Sequence, residues 1–430
     1  MGRMTLRHLL AAMVVVGICL WLLVARATLG SASVLSLPSQ GTTPARAAGS
    51  VATTADRRNE QRDADPRGSS SLWTGDEDTV TREAAMGASV GNATTLASLS
   101  ASCPAVLYTP TFVTRIHSQF MVVDCWHHRV VATNGPLETP IEEWFDMDAP
   151  SAHMHKPLKI PHSVATDGHI LVTESSVGGS DGTDHSLLVY IITATTPTLT
   201  YRFHQEVVAC DVKGARRPHR VVYDSTSRAF FLYLTSPPFL AKFKWDAQQG
   251  QLVRVYCQSL PFMKGMYARS IVIQNGSLYI TAGPGVVWQT AMQDNGVVRG
   301  RAYPIRSIGF TKGKMNDLAW IDGWWYATST VPCAMVRFRS LDAMHQHQKI
   351  HGLLGLCKGF SRSTARCLGG TPYFVTKVGD RIFVPYIFGC SGVVSFAVDP
   401  VTQDIVDVVQ HWGSGWVENS RNLACRGKEW

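Results

Sequence analysis

From residue 103 to the C-terminus, short apolar segments alternate with polar turns, and the periodicity of amphipathic helices is nearly absent. One pattern recurs: an apolar strand, a polar turn such as Asn275-Gly276 or Asp322-Gly323, and a second apolar strand. Asn-Gly and Asp-Gly between apolar segments are strong signals for a β-hairpin. The pattern therefore predicts an all-β domain built from repeated hairpins.

The hairpin pattern opens six times along this domain. The segment that begins at Pro110 closely parallels the one that begins at Pro372, and four weaker copies lie between them. The six openers are Pro110, Pro161, Pro218, Ala268, Met315 and Pro372. Units of about fifty residues with four strands each are typical of a β-propeller. We predict that residues 103–430 form a six-bladed β-propeller of four-stranded antiparallel blades. A β-sandwich is the alternative, but it does not require six copies of one opener.

Two motifs in the first two blades resemble the repeats of NHL-repeat propellers. In residues 122–130 a strand ends in Asp124 and a His128-Arg129-Val strand follows, and Pro161-His-Ser-Val begins the next blade. The resemblance implies a six-bladed propeller but no particular activity, because such folds support both enzymes and binding modules. It also implies that Asp124, His128 and Arg129 are structural, with Asp124 and Arg129 tying the second and third strands to a neighbouring blade.

A propeller would bring together side chains that are far apart in the chain. The first strand of each blade lines the central channel, so the residue after each opener repeats around one ring near the channel mouth. This ring consists of Thr111, His162, His219, Arg269, Asn316 and Tyr373. Because side chains alternate along a strand, we expect the next residues, including Phe112 and Phe374, to pack between blades. The polar ring, with Asp317 beside it, is the predicted ligand-binding site.

One interpretation of the ring is a metal-dependent hydrolase or lyase that acts on a small molecule. His162, His219 and Asn316 carry donor atoms suited to Zn or Ca, and Arg269 suits a carboxylate or phosphate. The Pro-His openers are similar to the zinc-binding openers of the lyase that completes peptide amidation. That lyase uses three histidines from alternate blades, whereas the two here lie on adjacent blades. Convergence of His162 and His219 within about 4–5 Å would favour catalysis.

The sequence favours a second interpretation, a non-catalytic recognition module. The formal net charge is +8, and the loops expected on one face carry a basic set: Lys213, Arg216, Arg217, Arg220, Lys349, Lys358, Arg362 and Arg366. An anionic glycan or an acidic protein segment is the expected partner. Glu174, Asp181 and Asp184 match no EF-hand spacing. Phosphate-binding loops, hydrolase motifs and DNA-reading helix patterns are missing from the sequence, so we expect no nucleic-acid partner.

The N-terminal sequence predicts export. Residues 9–25 form an uncharged apolar run preceded by Arg3 and Arg7, and its length suits either a short membrane span or a signal-peptide core. The positive-inside rule keeps Arg3 and Arg7 in the cytoplasm. We therefore predict a single-pass type II membrane protein of the secretory pathway or cell surface, tethered through residues 9–25. The protein is secreted if residues 1–27 are cleaved as a signal peptide.

The segment that follows predicts a disordered stalk. Residues 28–102 are rich in Ser, Thr, Ala and Gly and contain one Trp but no Phe, Tyr or Ile, too little apolar surface to offset the entropy of ordering. Asn92 and Asn275 begin N-glycosylation sequons. Nine cysteines follow the stalk without any CxxC pair, which favours disulfides in an oxidising compartment. We predict that Cys103 and Cys425 join the two ends of the domain.

Overall fold

The computed structural model of the chain describes residues 107, 109–154, 157–176, 185–212, 216–283, 285–310, 315–330, 333–350, 360–361, 366–367, 371–387 and 392–413. The predicted N-terminal apolar helix and stalk lie outside the described residues, as do Asn92, Cys103 and Cys425. Within them, no helix is long and apolar enough to cross a membrane. The described chain is all-β, with short 3-10 turns at Cys125–His127, Ile141–Glu143, Pro261–Met263, Ile305–Ile308 and Met344–Gln346.

The strands form successive antiparallel sheets, which are the blades. Blade 1 contains β1 (Pro110–Ile116), β2 (Gln119–Asp124), β3 (Arg129–Thr133) and β4 (Phe145–Asp146). Blade 2 contains β5 (Val164–Thr166), β6 (Ile170–Ser176), β7 (His185–Ala194) and β8 (Thr200–Val208). Blade 3 contains β9 (Arg216–Asp224), β10 (Ala229–Ser236), β11 (Pro238–Asp246) and β12 (Gln251–Ser259). Each blade pairs its strands in chain order.

The second half of the chain repeats this plan. Blade 4 contains β13 (Tyr267–Gln274), β14 (Ser277–Gly283), β15 (Val286–Gln293) and β16 (Gly296–Pro304). Blade 5 contains β17 (Met315–Ile321), β18 (Trp324–Ser329), β19 (Ala334–Phe338) and β20 (Gln348–Lys349), and a separate two-stranded ribbon contains β21 (Phe360–Ser361) and β22 (Arg366–Cys367). Blade 6 contains β23 (Thr371–Pro372), β24 (Thr376–Val378), β25 (Arg381–Ile387), β26 (Gly392–Val398) and β27 (Ile405–Gly413). Its first strand is split, because β23 and β24 both pair with β25.

The first strands of neighbouring blades contact one another around a closed ring. β1 contacts β5, β5 contacts β9, β9 contacts β13, β13 contacts β17, β17 contacts β24, and β24 contacts β1. The Thr376 hydroxyl of blade 6 donates a hydrogen bond to the Val113 carbonyl of blade 1 over 2.6 Å. The prediction of a six-bladed propeller with four-stranded antiparallel blades is therefore confirmed.

Alternation of side chains along the strands places the hydrophobic core between the blades. On β2, Met121 and Val123 pack in the cluster shared with blade 2, whereas Val122 packs in the cluster shared with blade 6. The remaining blade interfaces in the described chain each hold an apolar cluster of the same kind. Strands in the middle of a blade thus bury both faces, as β6 does along its whole length, whereas outer strands such as β8 and β16 are largely exposed or half-buried.

Two of the predicted hairpin turns have the backbone that their sequences favour. Asn275 and Gly276 have φ angles of 49° and 70°, and Asp322 and Gly323 have φ angles of 49° and 78°. A positive φ at both central residues defines the turn that matches the twist of paired strands. Asn275, the first residue of its sequon, is exposed at this turn.

The Asp124 motif forms a hydrogen-bonded group around the turn between β2 and β3. Arg129 donates hydrogen bonds to Asp124 Oδ2 at 3.2 and 3.1 Å, and the Thr109 amide donates to Asp124 Oδ1 at 3.0 Å. Burial favours a raised pKa for Asp124, but the charges of His127 and Arg129 hold it below the usual value. These bonds stay within blade 1. His128 reaches toward blade 2: its Nδ1 accepts a hydrogen bond from the Ile160 amide over 3.1 Å.

A disulfide joins two blades at their outer strands. Cys210 follows β8 of blade 2, and Cys257 lies on β12 of blade 3, with a Cα–Cα distance of 5.7 Å. Cys333 is also disulfide-bonded.

Candidate functional site

The inner strands bulge where the predicted ring begins. In blade 3 the strand register passes from Pro218 to Arg220 while the partner strand advances by one residue, so His219 is the extra residue. Thr111 and Asn316 are the extra residues at the same position of blades 1 and 5. A β-bulge leaves one residue outside the ladder and redirects the neighbouring side chains. In blade 3 this bulge directly precedes Arg220, whose side chain reaches blade 5.

The first layer brings the two predicted histidines together. The imidazole centroids of His162 and His219 lie 4.3 Å apart in an edge-to-face contact. His219 Nε2 lies 2.8 Å from the hydroxyl of Tyr267, and the ring of Tyr373 lies 6.3 Å from that of His162. Tyr373 belongs to blade 6 and His162 to blade 2, so this contact joins two blades that are separated by blade 1. The histidines therefore meet at the channel rather than in separate blade interfaces.

Arg269 lies beside Tyr267 in the same layer. Its Nη1 donates hydrogen bonds to Asn316 Oδ1 at 2.7 Å and to Thr330 Oγ1 at 3.4 Å. The guanidinium carbon lies 5.1 Å from the ring centroid of Tyr267 and 5.7 Å from that of Tyr373. Aromatic faces at this distance attract a cation. The layer thus combines a cation, aromatic walls and imidazoles from blades 2 to 6.

The second layer contains a buried ion pair, which the alternation argument misses. Arg220 Nη1 donates to Asp317 Oδ1 over 2.6 Å, and its guanidinium carbon lies 4.3 Å from the ring centroid of Phe374. The Ser270 hydroxyl also donates to Asp317. The prediction that this second position packs only between blades is wrong for Arg220, because the bulge turns it toward the axis. Its long side chain then reaches blades 5 and 6 from blade 3.

Several predicted ligand donors are used within the protein. The Thr111 hydroxyl donates to the His162 carbonyl over 3.0 Å. Asn316 Nδ2 donates to the Pro372 carbonyl over 2.8 Å while its Oδ1 accepts from Arg269. Asp317 Oδ2 accepts the Val375 amide over 2.7 Å. These side chains hold neighbouring blades together.

The predicted metal set of His162, His219 and Asn316 is not supported by this arrangement. Asn316 Oδ1, its expected oxygen ligand, is held by the positively charged Arg269. Among the described residues, no three His, Cys, Asp or Glu side chains form a group suited to a metal ion.

A buried carboxyl group fixes the backbone beneath His162. Glu174 Oε1 accepts the amides of His162 and Ser163 at 2.8 and 2.7 Å, and it also accepts from the Ser163 hydroxyl. Burial raises the pKa of Glu174 to about 7. Asp181 and Asp184, which do not share an EF-hand spacing with Glu174, lie outside the described residues. The observed role of Glu174 is to position His162.

Burial also controls the protonation of His219. His219 is 3% exposed. Burial, followed by electrostatic repulsion from His162 and Arg269, holds the pKa of His219 well below its usual value. His219 Nδ1 has no hydrogen-bond partner within the described part of the chain. The site therefore contains a neutral imidazole whose buried Nδ1 forms no hydrogen bond with any of the described residues.

Sequence reasoning missed two further residues of the site. Tyr267 directly precedes the opener Ala268, and Cys125 lies in the loop after β2 with its Sγ 3.8 Å from His162 Nε2. The position of Cys125 in a loop of the channel face was a usable signal, but the distance to His162 depends on how blades 1 and 2 pack. Of the predicted basic rim, Arg217 and Lys349 are exposed, while Lys213, Lys358 and Arg362 lie outside the described residues.

The comparisons with known proteins concern the fold. No protein-family model matches the chain, and no curated protein matches it. The periplasmic gluconolactonase of Pseudomonas aeruginosa has 15% sequence identity and a TM-score of 0.48, covering 71% of this chain and 86% of that chain. A putative 6-phosphogluconolactonase from Bacteroides fragilis has 11% identity and a TM-score of 0.44, covering 72% and 83%. A chain of the nidogen/laminin complex has 12% identity and a TM-score of 0.40, covering 65% and 89%.

Proposed function

We propose that the propeller is a recognition module that binds an anionic group at the channel mouth. The observation that carries this proposal is the buried Nδ1 of His219, which has no partner in the described chain, in the layer where Tyr267 contacts both His219 and the guanidinium of Arg269. When the Tyr267 hydroxyl donates to His219 Nε2, the proton of the neutral imidazole is on Nδ1. Nδ1–H and the guanidinium then offer hydrogen-bond donors to the same carboxylate.

An acidic sugar is the partner that this chemistry suits best. Arg269 supplies charge and a planar fork, and the rings of Tyr267 and Tyr373 supply flat apolar surfaces beside it. The exposed Arg217 and Lys349 would extend the positive potential to the outside. A terminal uronic acid or an acidic side chain of a protein segment would enter the channel, with the rest of the partner on the rim.

Calorimetric titration with glucuronate tests this proposal, with glucose as the neutral control. We expect binding of glucuronate that weakens as salt is added and falls at least about tenfold in Arg269→Gln, because a hydrogen bond to a charged group contributes about 1.5–3 kcal/mol. Arg202→Gln, which changes an exposed arginine of β8, is the matched control. Equal losses in the two variants, or no preference for glucuronate over glucose, would contradict the proposal.

We further propose that the module is exported and tethered to the membrane through residues 9–25. The Cys210–Cys257 disulfide and the exposed Asn275 sequon support exposure to an oxidising, glycosylating compartment. Expression in mammalian cells with glycosidase treatment tests the export. A mobility shift that Asn275→Gln and Asn92→Gln each reduce is expected; a chain without glycan and with its cysteines reduced would contradict it.

A hydrolase or lyase that acts on a small molecule is the second candidate. The contact of His162 with His219 at 4.3 Å favours it, since imidazoles beside a tyrosine can accept and return protons. Activity on esters and lactones of acidic sugars would be tested, with His219→Gln expected to reduce the rate by about a hundredfold. Turnover that His219→Gln leaves unchanged would contradict this candidate.

A further inference from the structure

The loop after β2 places a thiol in the histidine cluster. Cys125 is a buried thiol that begins the 3-10 turn Cys125–His127, and its Sγ lies 3.8 Å from His162 Nε2. The amide of Cys125 donates to the Thr109 carbonyl over 3.0 Å, which fixes the start of the turn. A thiol and an imidazole at this separation form the arrangement in which a base takes the proton from sulfur.

The backbone that carries this imidazole is held in place from both sides. The His162 amide donates to Glu174 at 2.8 Å, and its carbonyl accepts from Thr111 at 3.0 Å. Beyond His162 lies His219, whose Nδ1 has no partner within the described chain. A thiol, two imidazoles and the Tyr267 hydroxyl therefore follow one another across blades 1 to 4. The orphaned nitrogen indicates that a ligand completes this row.

We propose that Cys125 is a nucleophile, that His162 is its general base, and that the substrate is an ester or thioester carrying a carboxylate. The inference rests on the anion site for the carboxylate, which Arg269 holds. It goes beyond that site by assigning covalent chemistry to a residue that binding alone does not need.

The reaction balances without an added oxidant or metal. His162 Nε2 takes the proton from Cys125 Sγ, and the sulfur attacks the carbonyl carbon to form a tetrahedral adduct. The bond to the leaving alkoxide or thiolate then breaks, and the leaving group takes the proton from His162. Water, deprotonated by His162, attacks the S-acyl group, and the products are the free acid and the restored thiol.

Alkylation of the intact protein tests the thiol and the anion site separately. Iodoacetamide is neutral and iodoacetate carries a carboxylate, and peptide mass mapping gives the rate at Cys125. We expect iodoacetamide to modify native Cys125 faster than it modifies the same residue in urea. His162→Gln should slow this reaction at least about tenfold, since base assistance contributes up to several orders of magnitude. His169→Gln, an exposed histidine of the same blade, should leave it unchanged.

The two reagents distinguish the two proposals. If Arg269→Gln lowers the rate with iodoacetate but not with iodoacetamide, both the anion site and the nucleophile are supported. If Arg269→Gln changes neither rate while His162→Gln slows both, the anion site fails and the nucleophile stands. Native Cys125 that reacts no faster than in urea, or a rate that His162→Gln leaves unchanged, would overturn the nucleophile.

An activated ester then tests the acyl step. Mono-4-nitrophenyl succinate should release nitrophenolate in a burst of about one equivalent, with a succinyl group on Cys125 in the mass map. Cys125→Ser should remove both the burst and the adduct. A burst that persists in Cys125→Ser, or a succinyl group only on surface lysines, would contradict the assignment.

Discussion

The guanidinium of Arg220 in blade 3 and the carboxylate of Asp317 in blade 5 are joined over 2.6 Å, with blade 4 between them. Ser270 of blade 4 and the Val375 amide of blade 6 bind the same carboxylate. One buried ion pair therefore links four blades beneath the layer that holds the histidines. The site above it depends on this layer for its shape.

Removing one partner of this pair should destabilise the protein strongly. Asp317→Asn leaves the Arg220 charge buried without its counterion, a change that typically costs about 3–5 kcal/mol. The free energy of unfolding in urea measures the effect. Asp322→Asn is the matched control, because Asp322 pairs with Lys377 at the surface, where pairs contribute about 0–1 kcal/mol. Similar losses in the two variants would contradict the central role of the Arg220–Asp317 pair.

His128 should make the protein less stable in acid. Its Nδ1 accepts the Ile160 amide, so protonation breaks the contact with blade 2, and burial lowers the pKa of His128 to about 4. The folded protein binds this proton less well than the unfolded chain, so the stabilisation is complete above about pH 6.5 and is lost as the pH falls toward 4. The loss is on the order of 3 kcal/mol.

His128→Asn isolates this contribution to the pH dependence. Asparagine keeps an acceptor and tolerates the φ of 57° at this position. Urea unfolding at a series of pH values between 4 and 7 should show a flatter profile than in the wild type, whereas His169→Asn at the surface should leave the profile unchanged. If stability falls with pH as steeply in His128→Asn as in the wild type, protonation of His128 does not cause the loss of stability in acid.

Glu174 should have the opposite effect on stability. Burial raises the pKa of Glu174 to about 7, so the folded protein holds this proton more tightly than the unfolded chain does. Its contribution is most favourable below about pH 4.5 and declines by about 3 kcal/mol as the pH rises to 7.

Glu174→Gln keeps an oxygen acceptor for the His162 and Ser163 amides but cannot ionise. Relative to the wild type, the variant should gain stability between pH 5 and 7.5, measured by urea unfolding. A variant that is less stable at every pH would show that the ionised carboxylate is the required form.

The disulfide between blades 2 and 3 should contribute to stability through the unfolded state. It spans a sequence separation of 47 residues, for which the chain-entropy relation gives about 4 kcal/mol as an upper estimate. The double variant Cys210→Ala/Cys257→Ala should lower the urea midpoint accordingly. Reduction of the wild type should have a similar effect, and a midpoint unchanged in the double variant would mean that the blades hold together without the link.

The propeller could be predicted because its signals are local. Turn pairs such as Asn275-Gly276 specify each hairpin on their own, and the repeated opener gives the number of blades. The ring from Thr111 to Tyr373 followed from that count alone. Each hairpin could be read from neighbouring residues, and the blade count required only a comparison of the openers along the chain.

The contacts within the site depend on features that one sequence does not display. A bulge adds a residue without changing the apolar pattern, so alternation assigned Arg220 to a blade interface. The Arg220–Asp317 pair also depends on how far a long side chain reaches across the channel. Likewise, Cys210 and Cys257 could not be selected from nine cysteines, because their pairing depends on the packing of blades 2 and 3.

Anomalous diffraction from a crystal soaked in selenate tests most directly whether the channel mouth binds an anion. A tetrahedral oxyanion can accept from Arg269 and His219 together. We expect an anomalous selenium peak on the propeller axis, within hydrogen-bond distance of the Arg269 and His219 side chains. We expect no such peak in Arg269→Gln. Selenate found only at exterior arginines such as Arg202, with the axis empty, would contradict the proposal.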